Sequence, residues 1–126
     1  MEVEGRIKLC SYEKKSRCKE LTALFDSGAS TSVISEKVAE ELGFDRYDKP
    51  KELSLAVKEK KAELVGESRI DIEMDGCKLP ISEVFGVVEE LRYDAAIGRD
   101  LMDKYEIMLG KDKPRLKSRP PELKLI

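Results

Sequence analysis

Apolar and polar residues alternate along much of the chain with the period of two that is typical of half-buried β-strands. The first two alternating runs are separated by a charged loop, residues 11–19. Two later runs flank the dipeptide Asp75-Gly76, a strong turn signal. The pattern therefore predicts an antiparallel, hairpin-rich sheet system. The alternating positions are Val3, Gly5, Ile7 and Leu9; Leu21, Ala23 and Phe25; Leu53, Leu55 and Val57; Leu64, Gly66, Ser68, Ile70, Ile72 and Met74; and Leu79, Ile81, Glu83, Phe85 and Val87.

Helical spacing occurs in two short segments. The first runs from Ser35 to Leu42 and is followed by Gly43, a residue typical of helix C-termini. The second covers residues 100–105 and follows an apolar strand at 95–97. One more strand is expected at residues 106–109. The fold class predicted is therefore all-β with one or two short helices.

The length of 126 residues fits one domain with one hydrophobic core. We place that domain at residues 1–110. Residues 111–126 are predicted to be a C-terminal tail because they are rich in charged residues and Pro, including Pro120-Pro121.

Composition restricts the chemistry that this domain can perform. The chain contains no His, which excludes Ser-His-Asp triads, Cys-His dyads and histidine-ligated metals. Its three cysteines are too few for an all-thiolate zinc site, so no metal is expected. Cys10 and Cys18 flank the first loop and could pair across it, but we expect three free thiols. Carboxylates remain as the natural acid and base candidates.

Charge and hydropathy narrow the class of partner. With 24 basic and 26 acidic residues and no Trp, the chain lacks the features that favour nucleic-acid binding. No apolar run approaches the ~20 residues that span a bilayer, and the N-terminus lacks a signal-peptide pattern. We therefore expect a cytoplasmic protein without a membrane partner. The absence of Asn and Gln together with 40% charged residues is typical of a thermophile.

Asp26-Ser27-Gly28 is the main candidate for chemistry. It places a carboxylate at a tight bend directly after apolar Leu24-Phe25, where the surroundings can tune an acid. Taken alone, the tripeptide is also an ordinary turn, since Asp, Ser and Gly all favour turns. A hydrolase with Ser27 or Ser30 as nucleophile ranks far lower because no companion residue is recognisable.

Two further segments strengthen the catalytic interpretation. The run Asp26-Ser27-Gly28-Ala29-Ser30 with Val33-Ile34, the Asp75-Gly76 hairpin, and Ala96-Ile97-Gly98-Arg99-Asp100-Leu101 together resemble the retropepsins. These are the homodimeric, single-lobe aspartic proteases of retroviruses and retrotransposons, with cellular and prokaryotic relatives. The resemblance covers most of the chain, from about Val3 to Leu109. It implies a closed, barrel-like β fold, a peptide or protein substrate, and no cofactor.

The resemblance also implies a role for individual residues. The sequence holds only one Asp-Ser-Gly, so Asp26 would be the catalytic acid of each protomer in a homodimer and the two carboxylates would share a proton. Ser27 would hydrogen-bond across the two-fold axis, and Gly28 would allow close approach of backbone and substrate. In viral members an acid in place of Ser30 can pair with the arginine matching Arg99, so Arg99 here needs another partner, Asp100 or a residue of the second protomer. The remaining implied site residues are Ala29 and Ser30, which would line the cleft, and Ile97, Gly98 and Arg99, which would support the active-site loop.

The hairpin that closes over substrate in retropepsins matches residues 56–62, which contain no Gly. The substrate-binding residues there would be Val57, Lys58, Glu59 and Lys60, although a solvated hairpin turn is the favoured explanation of this charged run, because such runs usually mark exposed faces. The Gly-free hairpin leaves a second function open, a non-proteolytic dimeric peptide-binding or assembly module on the same fold. Residues 122–126 would form an interface strand, a disordered tail, or a peptide that occupies the cleft and inhibits.

Overall fold

The computed structural model of the chain describes residues 1–54, 61–111 and 113–116, with only the backbone for residues 53, 54, 61 and 62. Strands dominate this part of the chain. The elements in order are β1 (Glu2–Ser11), β2 (Cys18–Asp26), β3 (Val33–Ser35), α1 (Glu36–Leu42), β4 (Asp45–Ser54), β5 (Lys61–Met74), β6 (Cys77–Lys78), β7 (Glu83–Val88), β8 (Ala95–Ile97), α2 (Arg99–Lys104), β9 (Ile107–Leu109) and β10 (Pro114–Leu116).

The first hairpin follows the alternating pattern. β1 and β2 pair antiparallel from Glu2 opposite Asp26 to Cys10 opposite Cys18. Their apolar positions face the interior, because every second residue of a strand points to the same side. The buried members are Val3, Ile7 and Leu9 of β1 and Leu21, Ala23 and Phe25 of β2.

The main sheet closes on itself. Its strands follow the order β1-β2-β8-β3-β7-β5, and β5 pairs back to β1, which makes a ring of six. β4 and β6 also pair with β5 but lie outside the ring. Closure removes the exposed edges that an open sheet of this length would present. The predicted closed, barrel-like all-β fold with two short helices is confirmed.

Two pairings in the ring differ from the antiparallel arrangement that the sequence predicts. β2 runs parallel to β8, and β3 runs parallel to β7. These partners are separated along the chain by other elements, so hairpin signals between neighbouring strands cannot reveal them. The strand predicted from Leu79 to Val87 begins only at Glu83, as β7. Residues 79–82 are not in a strand and include Pro80, which has no N–H for a ladder.

Both predicted helices are present. In α1 the hydroxyl of Ser35 accepts a hydrogen bond from the N–H of Val38 at 3.2 Å, which caps the N-terminus. Gly43 ends the helix with a φ of 98°, a conformation that favours glycine. α2 begins after Gly98, and its apolar residues Leu101 and Met102 are buried against the barrel.

Cys10 and Cys18 form a disulfide, so the expectation of three free thiols is wrong. The antiparallel register places these two residues directly opposite each other, with their Cα atoms 4.0 Å apart. Alternation predicts both strands but not which residues face each other across the loop. Cys77 is free and buried.

A second, two-stranded sheet of β9 and β10 follows α2. β10 lies in the stretch that the sequence assigns to a tail, and its residues Pro114 and Leu116 are buried. The ring of Pro114 packs on β1 at Gly5, where a Cβ would lie 2.5 Å from the proline Cγ. The boundary at residue 110 stays a prediction, and residues 117–126 lie outside the described part of the chain. Within that part, no helix has the length and apolar character needed to cross a membrane.

Candidate active site

The parallel pairing of β2 with β8 brings the two motifs together. Phe25 lies opposite Ile97 in this pair. The carboxyl ends of parallel strands lie at the same edge of a sheet, so Asp26 and Gly98, which follow these residues, meet there. One strand pairing thus brings together two motifs that lie about seventy residues apart in the sequence.

Asp26 is the last residue of β2, and only 6% of it is exposed. Its carboxylate accepts a hydrogen bond from the N–H of Gly28 at 2.8 Å, and its carbonyl accepts one from the N–H of Ala29 at 3.1 Å. These bonds bend the chain tightly around the acid, as the sequence predicts. A backbone N–H that donates to a carboxylate fixes its orientation.

Ser27 is held by the start of the chain. Its hydroxyl accepts a hydrogen bond from the amino group of Met1 at 3.0 Å, and its N–H donates to the carbonyl of Met1 at 3.0 Å. The hydroxyl also lies 3.3 Å from that carbonyl and donates to it. In the single chain, therefore, Ser27, for which the resemblance predicts a bond across a dimer axis, is bound to Met1.

Gly98 lies under the loop that follows Asp26. A Cβ at this position would lie 2.8 Å from the carbonyl oxygen of Ala29 and 3.0 Å from the backbone of Thr31. Real Cβ atoms do not approach backbone this closely, so a side chain at residue 98 would displace the loop. Ile97 is buried beneath it with 2% exposure.

Arg99 does not contact the loop through its side chain as the viral pattern suggests. Its guanidinium forms an ion pair with Asp103 of the same helix at 2.8 Å, rather than with Asp100. The backbone N–H of Arg99 does reach the loop and donates to the carbonyl of Ala29 at 2.7 Å. The predicted partner Asp100 binds Ser32 instead, with a distance of 2.7 Å from the Ser32 hydroxyl to the carboxylate.

Ser32 is a site residue that the sequence does not reveal. It is buried, and its hydroxyl accepts a hydrogen bond from the N–H of Gly98 at 2.9 Å. Its partners lie 66 and 68 residues away, and a serine in a run of small residues carries no local signal of such contacts.

The two remaining residues predicted on the cleft side of the loop are accessible. Ala29 is half-buried and Ser30 is exposed. The substrate-binding residues predicted in the closing hairpin, Val57, Lys58, Glu59 and Lys60, lie outside the described residues.

Comparison with known proteins agrees with this geometry. The sequence profile of the aspartyl protease family matches residues 13–111, a span that includes both motifs and most of the chain. The chain therefore belongs to the aspartyl protease family. No functionally curated protein matches it significantly.

Three solved structures are similar to the chain. The retroviral protease-like domain of Ddi1 from Leishmania major is 21% identical, with 86% of this chain and 82% of that chain covered and a TM-score of 0.59. The EIAV protease in complex with the inhibitor HBY-793 is 17% identical, with 87% and 93% covered and a TM-score of 0.61. A retropepsin-like aspartic protease from Rickettsia conorii is 16% identical, with 89% and 87% covered and a TM-score of 0.53. These likenesses establish the retropepsin-like fold.

Proposed function

We propose that the chain is an aspartic endopeptidase that works as a homodimer, with one Asp26 from each protomer in a shared active site. The observation that carries this proposal is the buried Asp26 carboxylate in a loop that is bonded to the Gly98 segment. The chain supplies that arrangement once, whereas peptide hydrolysis by carboxylates needs two acids. Membership in the aspartyl protease family supports the same chemistry.

The chemistry divides between the two carboxylates. The ionised one takes a proton from a water molecule, whose oxygen adds to the carbonyl carbon of the scissile peptide bond. The protonated one hydrogen-bonds to the carbonyl oxygen, and a proton passes to the leaving nitrogen as the C–N bond breaks. Two carboxylates at hydrogen-bonding distance favour the state with one proton between them, which is the state that this division requires.

The neighbouring residues take the roles that the family resemblance implies. Ser27 would exchange its contact with Met1 for one across the two-fold axis, and Gly28 would leave room for the substrate backbone. Ala29 and Ser30 would line the cleft, while residues 57–60 would cover an extended peptide bound as a strand. Cytoplasmic localisation and the absence of a nucleic-acid partner complete the proposal.

Hydrolysis of an unfolded protein by the parent chain and by Asp26→Asn tests the proposal directly. The assay covers mildly acidic to neutral pH, and the variant is expected to lose activity by a factor of about a thousand or more, because an amide can neither take nor give the proton. Asp48→Asn is the matched control, since Asp48 is exposed and lies in β4, which pairs with β5 and not with β2 or β8. It should cleave at the parent rate.

The result that contradicts the proposal is a parent chain that is a folded dimer and cuts nothing at any pH. In that case the alternative suggested by the Gly-free hairpin, a peptide-binding or assembly module on the same fold, replaces the protease. Equal cleavage by the parent and Asp26→Asn would assign the activity to another residue or to a contaminant.

A further inference from the structure

The segment that carries Asp26, residues 26–32, connects β2 to β3 without helix or strand structure of its own after Asp26. Gly28, Ser30 and Thr31 in it are exposed, so packing alone restrains it weakly. Hydrogen bonds therefore hold its position, to Met1 at the Ser27 end and to the neighbouring Gly98–Leu101 stretch at the other.

The Asp100 carboxylate is the centre of those bonds. One oxygen accepts from the N–H of Ser32 at 3.1 Å. The other accepts from the Ser32 hydroxyl at 2.7 Å and from the N–H of Leu101 at 2.8 Å. The two bonds from Ser32 join the two motifs, and hydrogen bonds to an ionised acceptor are about twice as strong as neutral ones.

The Ser32 hydroxyl extends the link to Gly98. A hydroxyl has one donor and two acceptor positions, and Ser32 uses the donor for Asp100 and an acceptor position for the N–H of Gly98 at 2.9 Å. Residue 32 is only 1% exposed and its bond to the Gly98 N–H is buried, whereas Asp100 lies at the exposed side of the link. The Asp100 carboxylate, the Ser32 hydroxyl and the Gly98 N–H are therefore joined by a continuous series of hydrogen bonds.

Arg99 contributes less than the viral pattern implies. Its ion pair with Asp103 joins two side chains that are 54% and 64% exposed, and such pairs contribute little to stability. The pair also lies within α2, so it does not tie α2 to the 26–32 segment. In the viral pattern, an arginine and an acid at position 30 would restrain this segment. Here the side chains of Asp100 and Ser32 form the corresponding link.

We propose that Asp100, acting through Ser32, is the positioning residue that holds the 26–32 segment and so places Asp26 for the reaction. The consequence for catalysis rests on the proposed protease function, whereas the consequence for the segment itself does not. In this scheme Asp100 contacts neither the attacking water nor the substrate peptide, and it acts only by holding the 26–32 segment.

Asp100→Ala is the decisive variant, compared with Asp103→Ala, which removes an exposed aspartate three residues further along α2. For Asp100→Ala we expect kcat to fall roughly ten- to a hundredfold while KM changes by less than about threefold, because misplacement of a catalytic group by ~1 Å costs a factor of this size. Ser32→Ala should lose less, since its backbone N–H still binds Asp100. Asp100→Asn should recover part of the loss because its amide oxygen still accepts one bond.

Amide hydrogen exchange gives a second readout that does not depend on activity. The N–H groups of Gly28 and Ala29 bind Asp26 and not Asp100, so faster exchange there in Asp100→Ala reports movement of the whole segment. Measurements are made on chains whose far-UV spectra and unfolding midpoints show that they are folded.

The outcomes separate the two proposals. Loss of kcat and faster exchange at Gly28 and Ala29 in Asp100→Ala, with neither in Asp103→Ala, support the positioning role. If Asp100→Ala matches Asp103→Ala in exchange, the positioning role is wrong whatever the activity. If the parent cuts nothing, the protease proposal fails and exchange alone decides the role of Asp100.

Discussion

Gly98 is the residue at which the second motif comes closest to the Asp26 loop. Because a Cβ there would meet backbone atoms at 2.8 and 3.0 Å, the neighbours cannot yield by rotating a side chain. Gly98→Ala should therefore lower the free energy of unfolding by about 1–3 kcal/mol, the usual cost of overpacking, and should reduce cleavage by displacing the loop. Urea unfolding and peptide hydrolysis measure the two effects.

Gly86→Ala is the matched control. A Cβ at Gly86 would lie 2.6 Å from Cδ2 of Leu64, which is the end of a flexible, half-buried side chain. That side chain can rotate away, so we expect a loss below about 1 kcal/mol. Equal losses in the two variants would show that the contact with loop backbone has no special importance.

At the residue scale, the sequence identifies those candidate site residues that have a recognisable pattern of neighbours along the chain. Asp26 ends an apolar run and precedes Gly28, and Gly98 ends another, so both stand out in the sequence. Ser32 and the pairing of Arg99 with Asp103 do not, because each depends on which side chains the fold brings within bonding distance. The motif residues were therefore predictable, and the bonds between them were not.

The β1–β2 hairpin is fastened at its open end by the Cys10–Cys18 disulfide, with a sequence separation of 8. Closing a loop of this size restricts the unfolded chain and is worth about 2.5 kcal/mol in the loop-entropy account. We expect reduction, or the double substitution Cys10→Ser with Cys18→Ser, to lower the free energy of unfolding by about that amount. Denaturant unfolding with and without reductant measures the change.

The double variant also serves as the control for the reductant. It should show the same stability in oxidising and reducing buffer, because the remaining Cys77 is unpaired. A parent chain whose stability does not change on reduction would contradict the assignment of a stabilising role to the disulfide. Asp26 lies at the opposite end of β2, so activity at low temperature should persist after reduction.

The C-terminal end of α2 and the residue that follows it, Tyr105, are connected to β7 by polar contacts. The hydroxyl of Tyr105 donates to the carboxylate of Glu83, which also pairs with Lys104 at 2.7 Å. Burial, and then the hydrogen bond to Glu83, raise the pKa of the Tyr105 hydroxyl above its ordinary value of 10.0. The folded state thus favours the neutral phenol.

Because the pKa of Tyr105 is raised in the folded state, the contribution of this residue to stability depends on pH. Below about pH 10 tyrosine is neutral in both states and its contribution to stability is fully present. Above that pH the unfolded chain ionises at Tyr105 before the folded chain does, so the contribution is lost as pH rises. The stability advantage of the parent over Tyr105→Phe should be constant from about pH 7 to 9 and shrink beyond about pH 10. Urea unfolding across this range tests it, and an advantage that stays constant to about pH 11 contradicts it.

At the element scale, strands that show a run of apolar or alternating residues in the sequence were predictable, and strands without such a run were missed. β4 reads Asp-Arg-Tyr-Asp-Lys-Pro-Lys-Glu-Leu-Ser, so only its end shows an apolar alternation. β10 consists of Pro114, Arg115 and Leu116, and its location depends on the contact of Pro114 with Gly5 more than one hundred residues earlier. Such elements are specified by the surface they pack on.

At the scale of the whole molecule, one chain supplies a closed barrel and half of the proposed active site. If activity needs two Asp26 carboxylates, cleavage per chain should rise with protein concentration until dimers predominate and then become constant. Mixing the parent with Asp26→Asn gives a sharper test. In an equal mixture that exchanges freely, only about a quarter of the dimers contain two parent chains, so the parent's activity should fall to about half.

Asp48→Asn in place of Asp26→Asn controls for the added protein, and an equal mixture with the parent should have about twice the activity of the parent alone, because all of its dimers are active. With increasing excess of Asp26→Asn over a fixed amount of parent, activity should fall in proportion to the parent fraction of all chains, because both chains of a dimer must carry the acid. Activity that stays proportional to the amount of parent chain, under conditions where subunit exchange is shown independently, would mean that one Asp26 suffices. The count of one Asp-Ser-Gly per chain would then require a second acid from within the same chain.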